Sequence, residues 1–113
     1  MIITTTLIRD PYDAFTTWPF IFILPVCKDN AALIAHEMVH YESMAWVTPF
    51  WWLFYVLSKS FRWAQEVKAY RVQMALGGIS LEDAAYMLCT YKTGHTSEQA
   101  RAALQIAPET IYT

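Results

Sequence analysis

The stretch from Ala31 to Trp46 contains neither glycine nor proline, and Asp29 or Asn30 just before it offers an N-cap side chain. A helix is expected to run to about Val47, with Thr48-Pro49 ending it. Inside it stands His36-Glu37-Met38-Val39-His40, an H-E-x-x-H sequence. At about 100° per residue, histidines four positions apart leave the same face one turn apart, so their imidazoles can converge on one metal ion. Glu37 lies one step around the helix, within reach of a water on that ion without occupying a ligand position. Neutral imidazoles suit Zn²⁺, which lowers the pKa of its water toward about 7, and the glutamate takes the proton as the water attacks a carbonyl. With 3 histidines in 113 residues, chance seldom places two at this spacing around a glutamate. The alternative is a pair of structurally satisfied helix histidines.

Other segments set the expected fold around this helix. Residues 1 to 9 are rich in β-branched side chains and read as a strand, Asp10 to Pro19 as a loop, and Phe20 to Val26 as a buried strand limited by Pro25. The two strands are expected to pair as a long-looped hairpin or small sheet. Phe50 to Leu76 has helical composition and closes at Gly77-Gly78, with a potential interruption at Ser58-Lys59-Ser60. Capping patterns at Ser80 and Thr96 open two more helices, to about Tyr91 and to Ala107, the last stopped by Pro108. This predicts an α+β, mostly helical fold forming one domain over residues 1–113.

Composition then narrows the function classes. Hydrophobic residues make up 56% and charged residues 16%, so apolar groups must be exposed or covered by something else. A net charge of -2 carries no electrostatic footprint for nucleic acid. The longest apolar stretch, Met44 to Leu57, is interrupted by Thr48 and Pro49 and falls short of the roughly 20 residues that a bilayer span needs. Membrane contact is therefore not expected, although the Trp-rich segment would suit an interface. Cys27 and Cys89 are too sparse for a disulfide scaffold and read as reduced core residues. No secretory signal is visible at Met1-Ile2-Ile3, which makes cytoplasmic synthesis the expectation.

The strand Phe20 to Val26, the helix bearing His36, Glu37 and His40, and a downstream helix with Glu66 in Q-E-V-K-A-Y-R together resemble the zincin metallopeptidases, in particular the gluzincin branch. Small bacterial and phage proteins of metallopeptidase type are similar. The resemblance implies a minimal zincin-like domain in which His36, His40 and Glu66 bind zinc and Glu37 is the general base. It departs from the pattern at Tyr70, four residues after Glu66, where thermolysin-type gluzincins carry an aspartate that orients a ligand histidine. The short chain also leaves few walls for a substrate cleft.

Distance tests the third ligand. In one straight helix from Pro49, Glu66 would lie about 26 Å along, while the histidines lie roughly 13 to 20 Å back from the same turn. If Glu66 is to join them, a break near Ser58 to Ser60 or an irregular start to the aromatic segment is therefore required. The alternative for Glu66 is an ion pair with Arg62. Tyr70, on the same face as Glu66, either hydrogen-bonds a tetrahedral intermediate or is a core tyrosine. His95 reads as an exposed loop residue or a further ligand, Glu42 as a solvated charge, and Glu82 and Asp83 as helix N-terminal charges. Trp51, Phe54, Tyr55, Phe61 and Trp63 read as packing. Two functions follow as expectations. One is a zinc-dependent hydrolase acting on a peptide or peptidoglycan-like substrate. The other is a subunit of a larger assembly, such as a phage particle, that docks on a protein partner or another copy through its aromatic segment.

Overall fold

Alternation builds the N-terminal sheet. In a computed structural model that describes residues 1–8 and 10–105, the F-I-F-I run of Phe20–Ile23 turns Ile21 and Ile23 inward, where both are buried. This strand, β3, is central, with β1 (Ile2–Thr4) on one side and β2 (Ala14–Thr17) on the other. β1 runs parallel to it, with Ile3 opposite Phe22, and β2 antiparallel, with Thr16 opposite Ile21. Three expectations are corrected. The first strand is confined to Ile2–Thr4, the segment expected to be a loop contains β2, and β1 does not form a hairpin with β3. The reason is local: Ala14-Phe15-Thr16-Thr17 is itself a β-branched and aromatic run, and it closes on Phe20 through the short Trp18-Pro19 connection. β3 stops before Pro25, which opens a single 3-10 turn, Pro25–Cys27.

The helices follow. α1 (Ala31–Met44) is capped by Asn30, whose Oδ1 accepts from the Leu33 amide at 3.1 Å. It ends at Met44 rather than Val47 because Ala45 adopts φ 41°, a left-handed conformation that breaks the helix. A 3-10 turn, Ala45–Val47, leads into α2 (Thr48–Leu57), so Pro49 sits in the first turn of a new helix, where its missing N–H is harmless. Ser58 is extended and separates α2 from α3 (Lys59–Ala75), supplying the expected break and capping α3 through the Phe61 amide. Gly77, at φ 73°, and Gly78 then close α3 with amides to the Met74 and Gln73 carbonyls, at 2.9 and 3.0 Å. α4 (Leu81–Cys89) ends two residues before the expected Tyr91, and α5 (Ser97–Leu104) opens with a full Thr96/Gln99 capping box. The expected run to Ala107 and stop at Pro108 lie outside the described residues.

α1 is sandwiched between the sheet and α3, while Val67, Tyr70, Ala84, Leu88, Ala100 and Leu104 form the apolar core that α3 shares with α4 and α5. The result is a mostly helical α+β fold with a three-stranded mixed sheet. The cysteines depart from expectation: Cys89, one step past buried Leu88, faces outward, and Cys27 at the end of the 3-10 turn is partly exposed, both thiols being free. Among the described residues no helix is long and apolar enough to cross a membrane.

Gly78 marks the closest approach of α1 to the end of α3, since a Cβ there would meet the Ala32 Cβ at 2.1 Å. Neither atom belongs to a flexible side chain, so the helices would have to separate. Gly78→Ala is expected to cost about 1–3 kcal/mol, the usual penalty of overpacking. Urea denaturation should show a lower midpoint at unchanged slope; an unchanged midpoint would show that the contact has room to give.

Candidate metal centre

Two adjacent helices supply the site. His36 and His40 project from one face of α1 toward α3, and the break at Ser58 lets α3 start afresh and bring Glu66 opposite them. The three side chains are buried, and their ligand atoms all lie within 4.8 Å of one another. Glu66 Oε1 is 3.4 Å from His36 Nε2, and Glu66 Oε2 is 3.2 Å from His40 Nε2. Those separations exceed the ~2.7–2.9 Å of a charge-assisted hydrogen bond. They match instead the edge of a tetrahedron, roughly 3.3 Å when ligand bonds are about 2.0–2.2 Å. Glu66 Oε1 is also buried with no hydrogen-bond partner, a polar atom that a cation would satisfy. Two imidazole nitrogens and a carboxylate oxygen form a donor set that suits zinc and accepts other divalent ions. On these observations the residues fit a metal.

Without a metal, Glu66 and His40 hold each other in the charged form, so a cation would displace a proton from His40. Burial alone would raise the Glu66 carboxyl, but His40 and His36 outweigh it and hold the group well below the usual carboxylate range. Burial opposes charge on His40, yet the Glu66 carboxylate pushes its pKa up to about 9. Glu66 is thus an anion at every ordinary pH, as a ligand must be. Tyr55 donates its hydroxyl to Glu66 Oε2 at 2.6 Å, and burial together with that carboxylate drives the phenol far above its usual value, keeping it a donor. Gln65 sits beside the other histidine: its Oε1 is 3.5 Å from His40 Nδ1 and 3.1 Å from Ser43 Oγ, which accepts from Trp51 Nε1 at 2.7 Å.

No family model, curated protein or solved structure matches the chain. The function must therefore be read from the site.

Glu37 is brought alongside the triad, its Oε2 3.7 Å from His36 Nε2, while Oε1 accepts from Thr16 Oγ1 at 2.6 Å. β2 thus reaches directly into the site. A cavity of about 580 Å³ opens over His36, Glu37, His40 and Glu66, walled by Phe15, Phe22, Trp51, Trp52, Tyr55 and Tyr91. Tyr70 does not line this cleft. Its ring meets His36 edge-on, with centroids 4.3 Å apart, and its hydroxyl shares a 3.1 Å hydrogen bond with Tyr91.

The remaining candidates resolve as follows. Arg62 does not pair with Glu66; it binds the carbonyls of Tyr55 and Tyr91 and so fastens α3 to α2 and to the end of α4. His95 lies outside the triad, half-buried and stacked on Trp63 at 3.7 Å. Glu42 is exposed, and Glu82, in the first turn of α4, pairs with Arg101 at 3.4 Å. Of the aromatic stripe, Trp51 and Tyr55 belong to the cleft while Phe54 is exposed. Sequence reasoning missed Thr16, Tyr55 and Gln65. Only Thr16 carried a usable signal, the strand-like run around it.

Zinc at 100 times its Kd should stabilise the native protein by about 2.7 kcal/mol through mass action, and a chelator should reverse the gain. Thermal unfolding with and without the ion checks this. Glu66→Gln, which removes the anionic ligand, is expected to lose most of the shift; a full shift in that variant would place the ion elsewhere.

Proposed function

We propose that the protein is a small zinc-dependent hydrolase with a minimal zincin-like fold, cleaving amide bonds in peptides. The observation that supports this most is the Glu37 carboxylate, tied to Thr16 by one oxygen and aimed by the other at a His/His/Glu triad on the floor of an open cleft. When bound, the ion supplies Lewis acidity toward a carbonyl and makes water nucleophilic near neutral pH. Glu37 accepts the proton of the attacking water and returns it to the departing amine nitrogen. Thr16 holds the carboxylate in the geometry for that transfer, leaving one oxygen free. Tyr91, which lines the cleft, offers a hydroxyl to the polarised carbonyl, and Tyr70 acts as its hydrogen-bond partner.

The cleft also bears on the substrate. Its walls are largely aromatic and aliphatic, and among the described residues Glu37 and Glu66 are its carboxylates while no lysine or arginine lines it. A peptide with large apolar side chains fits this lining.

Glu37→Gln is expected to keep zinc at wild-type stoichiometry and lose at least about a hundredfold in turnover on an apolar peptide library, the scale of a missing general base. Unchanged turnover would remove Glu37 from the mechanism. Tyr70→Phe should lower kcat by less, with KM little changed.

A second reading is favoured by α2, whose Phe50, Leu53, Phe54 and Leu57 are all more than half exposed. In it the chain docks onto a protein partner or a second copy, with or without catalysis. Sedimentation of the isolated chain separates the readings: a soluble monomer with amidase activity does not need a partner.

A further inference from the structure

Among the described residues, three buried side-chain atoms have no hydrogen-bond partner: Glu66 Oε1, His36 Nδ1 and Gln73 Oε1. The first is accounted for at the metal centre. The other two belong to residues that both border a second cavity, about 340 Å³, which adjoins the cleft along His36, Glu37 and Tyr91 and is shared with Tyr70 and Asn30. Their chemistries are complementary. If His36 Nε2 faces a metal, the neutral ring carries its proton on Nδ1, which is then a donor, whereas a glutamine Oε1 can only accept. A single water can accept from the one and donate to the other, and the cavity far exceeds the ~10–15 Å³ that one water needs.

We propose that Gln73, through a water held in this second cavity, is the positioning residue that fixes the ring orientation and tautomer of His36. The inference rests on the metal-centre reading. It also resolves an asymmetry, because His40 has Gln65 beside its Nδ1 while His36 has no such side chain and Tyr70 stands where an aspartate would serve. Gln73 is buried on α3, which limits the rotamers its side chain can take.

Zinc affinity measured by competition with a chromogenic chelator tests the proposal on the full chain. Gln73→Leu, similar in volume but without the acceptor, is expected to weaken zinc about 10- to 100-fold, the usual effect of losing an outer partner of a ligand histidine. Gln73→Glu, which keeps an acceptor, is expected to restore most of it. Nitrogen NMR of the zinc-loaded chain should show the His36 ring protonated on Nδ1 in wild type and in Gln73→Glu, with that proton exchanging faster in Gln73→Leu. Wild-type affinity and unchanged exchange in Gln73→Leu would overturn the role of Gln73 while leaving the metal centre standing. A wild-type chain that takes up no zinc would overturn both. Should Gln73→Leu fail to fold, weak zinc binding by a folded Gln73→Glu variant would count against the proposal.

Discussion

A carboxylate buried between two helices is the constraint from which the rest follows. Glu66 is nearly inaccessible, and an isolated ionised carboxylate there would be prohibitively costly. Its charge survives only because His36 and His40 meet it from α1 and Tyr55 donates to it from α2. Removing one partner of such a group typically costs about 3–5 kcal/mol, because the remaining charge stays buried. The position of three helices is thereby tied to one side chain. The sheet joins through Thr16 and Glu37, so each major element on this side of the molecule contributes a polar contact to the same few cubic ångströms.

The apolar part of the fold is arranged to permit this. The core of Val67, Tyr70, Ala84, Leu88, Ala100 and Leu104 lies behind α3, away from the cleft, and supplies burial that the polar site cannot. Small residues let the site-bearing helices approach: Ala32 on α1 faces Gly78, and Ala69 on α3 is fully buried. A side chain at Gly78 would push α1 away from the end of α3.

Much of this was legible in the sequence because it depended on local rules. The H-E-x-x-H spacing placed two imidazoles on one face, and the reach of a straight helix demanded a break before Glu66, which Ser58 provides. Caps at Asn30, Ser80 and Thr96 and the glycine stop after α3 are also local. What escaped was long-range. Tyr55 and Glu66 are eleven positions apart, and nothing in the chain between them announces that α2 folds back to deliver a hydroxyl. β2 was lost because two prolines and two aspartates dominate its neighbourhood, and with it went the order of the sheet. The early end of α1 rests on Ala45 at a backbone angle that alanine rarely adopts, which no propensity rule anticipates.

The junctions on either side of α2 have a further consequence. α2 hangs between Ala45 and Ser58, two residues outside the helical conformation, whereas the ligands ride on α1 and α3. Apart from Tyr55 and Trp51, the wall of the cleft on α2 and its floor are thus carried by different pieces of chain. Bulk and shape at the other positions of α2 can be exchanged while the chemistry beneath stays in register. A chain this short thereby separates what it recognises from what it does.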